Sequence, residues 1–248
     1  MLSEIRVLHF YRSALPEMMG GVAQVIHQLG RSSGQQKVAI EVLSLSRKSG
    51  PRMLDMDGYR VHRARLDFQI ASTGFSLSAF RQFAELASTV DVIHYHFPWP
   101  FMDLVHFATR INKPTVVTYH SDIIRQQRLL KLYRPLMRKF LGSVDSIVAT
   151  SPNYLASSPV LKEFKDKVTV IPIGLDRATY PEPTLSSLEH WRGRFGSRFF
   201  LFVGVLRYYK GLHILIEAAR GVDYPVVIVG AGPVETELKE QATRLGLH

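Results

Sequence analysis

Two adjacent glycines, Gly20 and Gly21, stand between an apolar run and a segment with helical periodicity. Glycine lets the backbone approach a ligand closely, and the first turn of a helix presents free N–H groups and a partial positive charge that suit phosphate. The pair therefore indicates either a phosphate contact or a tight strand-to-helix turn, and its spacing does not decide between them. It is not the dinucleotide fingerprint, because the pattern GxGxxG is missing.

Histidines also stand at the ends of predicted strands. His94 and His96 share one face of a strand, a spacing that could bind a metal, but no third ligand stands nearby in the sequence. Side chains at the carboxyl end of a parallel strand more often line a ligand crevice, and a purely structural role for His94 stays open. His120 closes the next strand and is predicted to donate a hydrogen bond to a sugar hydroxyl or a phosphate. We expect Asp122 or Ser121 to cap the helix that follows.

That helix is predicted over Ile124–Leu141, and its basic residues all fall on one half of the helical wheel. They are Arg125, Arg128, Lys131, Arg134, Arg138 and Lys139. No acidic residue occurs between Asp122 and Asp145, whereas a solvated face usually mixes the two signs. The pattern indicates contact with an anionic membrane surface or a polyanionic acceptor, and an ordinary basic solvated face is the alternative.

Two cations, Arg207 and Lys210, stand in a predicted loop between a strand and a helix. Cations beside a helix N-terminus form a diphosphate site and would stabilise the charge that develops on a nucleoside-diphosphate leaving group. The alternative is that both are simply solvated. A second glycine-rich turn contains Gly232 and indicates either backbone approach to a nucleotide or a plain turn.

The elements that must position these residues alternate between short apolar runs and longer amphipathic segments. Such alternation predicts an α/β fold, with a parallel sheet and helices on both of its faces. We expect a complete Rossmann-like domain over residues 1–178, an interdomain connection over 179–197, and the beginning of a second Rossmann-like domain over 198–248. The last segment has room for about two strands, fewer than a doubly wound sheet requires, so we expect the second domain to be incomplete.

Composition narrows the classes of protein that remain. The chain has 248 residues, 46% of them hydrophobic and 21% charged, and no cysteine. These values favour a folded chain and exclude disulfides and thiolate metal sites. The net charge of +10 is compatible with anionic partners, but no nucleic-acid recognition motif is present, so no nucleic-acid partner is expected. The sequence shows neither a signal peptide nor an apolar stretch long enough to span a bilayer, which predicts a cytoplasmic protein, with peripheral attachment at the inner face of the membrane as an option.

Seven short segments, taken together, resemble glycosyltransferase family 4, a family of retaining enzymes with the GT-B fold. They occur in the family's order and cover nearly the whole chain. They are Gly20–Val22, His94–His96, Thr118–Asp122, Ala149–Pro152, Val170–Asp176, Gly204–Gly211 and Val229–Pro233. A later family segment with two glutamates and a Gly-Phe-Gly turn has no counterpart here.

The resemblance implies an acceptor-binding first domain and a second domain that binds a nucleotide sugar, such as a GDP- or UDP-sugar. It implies that His120 contacts the transferred sugar, that Arg207 and Lys210 hold the diphosphate, and that no metal or other cofactor is needed. The Gly20–Gly21 pair and Gly232 are assigned to the donor phosphates. His96 and Ser151 are assigned to the acceptor side of the cleft.

The expected acceptor is a glycan or a lipid-linked molecule of cell-surface polysaccharide or lipopolysaccharide synthesis. Two alternatives stand beside this reading. One is a non-catalytic module that binds glycan or phosphate, and the other is a sugar-nucleotide epimerase of the same architecture. The loop that carries Arg207 and Lys210 favours the transferase over the epimerase.

Overall fold

The computed structural model describes residues 4–70, 73–124, 127–176 and 180–247, with no description of the Gln127 side chain. The chain divides into two compact units, Met1–Asp176 and Arg177–His248. Each unit has its own sheet and its own hydrophobic core.

The described residues of the first unit form ten strands. They are β1 (Ile5–Phe10), β2 (Val38–Ser46), β3 (Met53–Met56), β4 (Tyr59–Arg65), β5 (Phe68–Ile70), β6 (Thr73–Phe75), β7 (Val92–Phe97), β8 (Thr115–Tyr119), β9 (Ser146–Ala149) and β10 (Val168–Val170). Eight of them form one sheet in the order β10-β9-β8-β7-β1-β2-β4-β3. All neighbours in it are parallel except β3 and β4. β5 and β6 form a separate antiparallel pair.

This strand order places a topological switch point between β1 and β7. From β1 the chain continues to β2 on one side, and it later returns to β7 on the other side of β1. The connections after β1 and after β7 therefore diverge, which opens a crevice at the carboxyl ends of these two strands.

In the part of this unit that the structure describes, six α-helices accompany the sheet. They are α1 (Gly21–Ser33), α2 (Leu77–Ser88), α3 (Pro100–Thr109), α4 (Gln127–Ser143), α5 (Pro152–Ser157) and α6 (Pro159–Glu163). α2, α3 and α4 contribute Phe83, Met102 and Phe140 to the larger core, against inward side chains such as Leu8 and Tyr95.

α1 belongs to a second core on the opposite face of the sheet. Its Ile26 packs there with Val42 and Val61 of β2 and β4. Helices on both faces of a largely parallel sheet confirm the predicted α/β fold class.

The structure corrects two expectations about the loop before α4. The helix begins at Gln127, later than the predicted Ile124, and Arg125 lies outside the described residues. Among the described residues, Asp122 makes no capping contact with this helix. Its carboxylate instead accepts hydrogen bonds from the hydroxyls of Tyr119 at 2.8 Å, Tyr154 at 3.1 Å and Ser158 at 3.0 Å. Asp122 thus ties the end of β8 to the segment of α5 and α6.

The second unit contains α7 (Leu185–Phe195), β11 (Phe200–Val203), α8 (Leu212–Ala218), β12 (Val226–Val229) and α9 (Glu235–Arg244). β11 and β12 are parallel, with Phe200 opposite Val226. Leu206, Leu212, Ile216 and Leu238 form a small core. Within the described parts of both units, no helix combines the length and apolar character needed to cross a membrane.

Candidate active site at the carboxyl edge of the sheet

Three histidines from β1 and β7 lie side by side on one face of the sheet. His9 pairs with His94 across the two strands, and His96 pairs with Thr118 of β8. The neighbouring residues Leu8 and Tyr95 point into the larger core, and strand side chains alternate between faces, so the histidines point the other way. His9 and His96 are nonetheless buried.

Hydrogen bonds join these histidines into a row that ends at His120, directly after β8. Nδ1 of His9 lies 2.9 Å from Nε2 of His96, and Nδ1 of His96 lies 3.0 Å from Nε2 of His120. The ring planes differ by 23° and 19°, so the bonds run close to the planes of the rings. His94 stacks on His96 at 4.7 Å and is held by Thr118 Oγ1, 2.7 Å from its Nε2.

Burial keeps this row uncharged at neutral pH. Desolvation lowers the pKa of His94 and of His120 to about 4. It also lowers the pKa of His9 and of His96 well below the usual value, with a smaller contribution from the neighbouring histidines. A neutral imidazole has one donor and one acceptor nitrogen, so each ring can hold one neighbour and offer its other nitrogen elsewhere.

His9 is the member of this row that sequence reasoning missed. It precedes His96 by 87 residues, and only the pairing of β1 with β7 brings them together. The one local signal was a polar side chain within the otherwise apolar run that forms the end of β1.

The glycine pair begins α1 beside the same edge of the sheet. Gly20 is the N-cap residue, with an extended backbone and no side-chain cap. A Cβ atom built on Gly20 or Gly21 would meet no atom of the described chain within 4 Å. Neither the backbone conformation of Gly20 nor the packing of either glycine accounts for the residue type, and the space beside them is open to a ligand.

Ser151, predicted to line the acceptor cleft, has a structural contact. Its hydroxyl accepts a hydrogen bond from the backbone N–H of Tyr154 at 3.1 Å and so caps α5. Its part in an acceptor cleft stays a prediction.

A groove of about 690 Å³ runs along the face of the sheet that carries the histidines. Its lining includes His94, Thr118 and Val148 from the strands, Gln28 from α1, and Ile173 from the segment after β10. It gives solvent and small solutes a path to His94, the partly buried member of the row.

In the second unit, Arg207 and Lys210 are exposed on a short 3₁₀ turn before α8. Lys210 lies over the ring of Tyr209 at 5.6 Å. Of the carboxylates that the structure describes, none is within ion-pair distance of either cation. Both side chains are therefore available to an anionic ligand.

Packing within the protein explains why residue 232 is a glycine, whereas the sequence had indicated backbone approach to a nucleotide or a plain turn. A Cβ atom at this position would lie 2.3 Å from the carbonyl oxygen of Leu206 and 2.7 Å from its nitrogen. Close packing against this backbone already requires glycine, and a phosphate contact of Gly232 stays a prediction.

The basic face of α4 is smaller than the sequence indicated. Arg138 forms two hydrogen bonds with the Glu163 carboxylate, at 2.9 and 2.7 Å, and Lys139 lies over the ring of Phe107 at 4.8 Å. The prediction of a face with one sign of charge is therefore wrong at Arg138, because the fold brings in an acid from α6.

Three exposed cations remain on α4, namely Arg128, Lys131 and Arg134. Two apolar side chains share this surface, since Leu129 is 50% exposed and Leu132 is 82% exposed. The outer face of α4 thus combines positive charge with exposed leucine.

Comparison with known protein families agrees with this architecture. The Glycosyltransferase Family 4 model matches residues 19–179, more than half of the chain. The chain belongs to glycosyltransferase family 4. The model of Glycosyl transferases group 1 matches residues 190–248 of this family 4 chain.

Two curated relatives are similar over almost the whole family 4 chain. This chain is 63% identical to the D-rhamnosyltransferase WbpZ of Pseudomonas aeruginosa. The match covers 98% of this chain and 64% of that protein. The chain is 48% identical to the O-antigen chain mannosyltransferase C of Escherichia coli, over 98% of its own length and 65% of that protein. The chain thus spans slightly less than two thirds of each relative.

Among solved structures, sucrose-phosphate synthase from Thermosynechococcus elongatus is similar to this chain with a TM-score of 0.70 at 16% identity. The match covers 98% of this chain and 68% of that one. At this identity the likeness concerns the fold, which is of the GT-B type.

Proposed function

We propose that this protein transfers a sugar from a nucleoside-diphosphate sugar to a glycan or lipid-linked acceptor, with retention at the anomeric carbon, in the synthesis of a cell-surface polysaccharide. The observation that carries the proposal is the identity of 63% and 48%, over 98% of the chain, to a rhamnosyltransferase and a mannosyltransferase. The names of those two relatives support a hexose or deoxyhexose as the transferred sugar.

Each unit, taken by itself, has a feature suited to a donor phosphate. Gly20 and Gly21 leave an open space before the first turn of α1, where free N–H groups and the helix dipole favour an anion. Arg207 and Lys210 supply two cations without a carboxylate partner among the described residues. Charge-assisted hydrogen bonds from these cations would stabilise the diphosphate as it leaves.

His120 would contact the transferred sugar. It ends the row of histidines at the carboxyl edge of the sheet, and one of its nitrogens is already bonded to His96. The second nitrogen of the neutral ring has no hydrogen bond to a described residue and could bond a sugar hydroxyl. No side chain is assigned as a general base, because the leaving phosphate can itself assist deprotonation of the acceptor, as is usually proposed for this family.

A transfer assay tests the proposal. Purified protein is incubated with GDP- and UDP-linked hexoses and deoxyhexoses, together with polysaccharide fragments as acceptors, and release of the nucleoside diphosphate is measured. We expect release that depends on the acceptor with at least one donor. Failure to bind or turn over any of these donors would reject the function.

We also propose that the outer face of α4 attaches the protein to an anionic membrane surface, on the cytoplasmic side where nucleotide sugars are made. Arg128, Lys131 and Arg134 would attract anionic headgroups, each cation contributing about 1 kcal/mol near the surface. Leu129 and Leu132, exposed between them, would insert at the boundary of the acyl chains. A lipid-linked acceptor would then lie in the same plane as the protein.

Vesicle flotation tests this attachment. We expect binding to vesicles with anionic lipid and little binding to neutral ones, with loss of binding in Lys131→Glu/Arg134→Glu and a smaller loss in Leu132→Ser. The matched control is Arg52→Glu/Arg192→Glu, which makes the same change in charge at two exposed arginines elsewhere. Equal flotation of the two double variants would contradict a role for α4.

A further inference from the structure

We propose that His9, His94 and His96 form a binding site for one transition-metal ion of the zinc class. The ligand atoms of the three side chains all lie within 4.8 Å of one another. The inference does not depend on the proposed function, since it rests on the positions of these three side chains alone.

The register of β1 and β7 builds this site. His9 and His94 are directly paired, and His96 follows two residues later on the same face, so three imidazoles converge from two adjacent strands. A tetrahedral ion held at about 2.0 Å from each nitrogen requires the nitrogens to be about 3.3 Å apart. His9 Nδ1 and His96 Nε2 are already 2.9 Å apart, so an ion could replace their shared hydrogen bond with little movement.

One of the three rings already has the outer partner that a metal site requires. Histidine ligands almost always bond a second group through their other nitrogen, which fixes the ring and its tautomer. Here His96 Nδ1 bonds His120 Nε2 at 3.0 Å. This leaves Nε2 of His96 to face the ion.

One ring must turn for the ion to bind. The planes of His94 and His96 differ by only 10°, and two parallel rings do not direct their lone pairs at one point. His94 is the partly buried ring and lines the groove, so the ion has a path to it, and the turn would exchange the bond between His94 Nε2 and Thr118 Oγ1 for a bond to the ion.

The donor set decides the kind of ion. Three imidazoles without a carboxylate suit zinc, cobalt, nickel or copper rather than magnesium or calcium. Three protein ligands leave a fourth position for water or another small ligand. A bound ion would hold His96 in one tautomer, with its N–H directed at His120.

Titration of the protein, free of any histidine tag, with Co²⁺ tests the site, with calorimetry of Zn²⁺ binding in parallel. We expect one ion per chain and the visible absorption of tetrahedral Co²⁺. His94→Gln and His9→Gln should each weaken binding more than about 100-fold, because each removes a ligand. His120→Asn should weaken it by about 10- to 100-fold, as expected for an outer partner. The control His190→Gln, at an exposed position of the second unit, should leave binding unchanged.

Circular dichroism identifies any variant that fails to fold. His94→Gln is the decisive variant, because its side chain is only partly buried and its loss should leave the core intact. The inference is overturned if the wild-type protein binds neither ion. It is equally overturned if a folded His94→Gln variant binds as the wild type does, since the ion would then lie elsewhere.

Discussion

The two glycine-rich turns of this chain look alike in sequence and differ in structure. Each stands between an apolar run and a helix, at Gly20–Gly21 in the first unit and at Gly230–Gly232 in the second. A Cβ atom on either glycine of the first pair would meet no described atom within 4 Å, whereas one on Gly232 would overlap the backbone of Leu206 at 2.3 Å. Packing accounts for glycine in the second turn and leaves it unexplained in the first, where we place a ligand.

Gly232→Ala should produce the largest effect. The added methyl group has no room beside the Leu206 backbone, and we expect the second unit to lose about 3 kcal/mol of unfolding free energy, at the upper end of typical overpacking costs. Urea denaturation, followed by hydrogen exchange in β11 and β12, measures it. The control Gly193→Ala lies within α7, where a Cβ meets no described atom, and should stabilise the helix by about 1 kcal/mol. Equal stability of the two variants would remove the packing explanation.

Arg207→Ala should leave stability unchanged and weaken binding of the nucleoside diphosphate. A hydrogen bond to a charged group contributes about 1.5–3 kcal/mol, so we expect at least about a tenfold rise in the Kd for UDP or GDP, and Lys210→Ala should act in the same direction. Calorimetry measures this. The control Arg220→Ala removes an exposed arginine that pairs with Glu217 in the same unit. Unchanged affinity in both Arg207→Ala and Lys210→Ala would contradict the proposal that these two cations bind the diphosphate.

Gly20→Ser should have the smallest effect on stability. The position is the N-cap of α1 and has an extended backbone that any residue can adopt. Serine is a better N-cap than glycine by a few tenths of a kcal/mol, so we expect a slight rise in the unfolding midpoint. The same substitution should weaken donor binding, because the hydroxymethyl group enters the open space. A clear fall in the midpoint would show that this turn, like the second one, is closed by packing.

Local patterns predicted what depends on neighbouring residues. The alternation of strands and helices gave the α/β class, and the positions of His96 and His120 at the ends of consecutive parallel strands were visible before the fold was known. Asp122 shows the limit of such reasoning. Its position before a helix predicted a cap. In the structure its carboxylate accepts hydrogen bonds from the hydroxyls of Tyr154 and Ser158, which are more than 30 residues away in the sequence.

The features that the sequence did not reveal all depend on contacts between distant parts of the chain. His9 joins the histidine row only because β1 and β7 are paired. Arg138 forms an ion pair with Glu163, which follows it by 25 residues in the sequence. Gly232 owes its identity to the backbone of Leu206, which no pattern within its own turn could show.

The rate of sugar transfer by Gly21→Ala, measured beside its unfolding midpoint, tests whether a ligand occupies the space beside the glycine pair. A methyl group here meets no described atom of the protein, and alanine forms helix better than glycine, so we expect an unfolding midpoint that is unchanged or slightly raised. We expect a transfer rate reduced by about tenfold or more, as expected when a close phosphate contact is obstructed. A variant that transfers sugar at the wild-type rate with an unchanged midpoint would show that no ligand occupies the space beside the glycine pair.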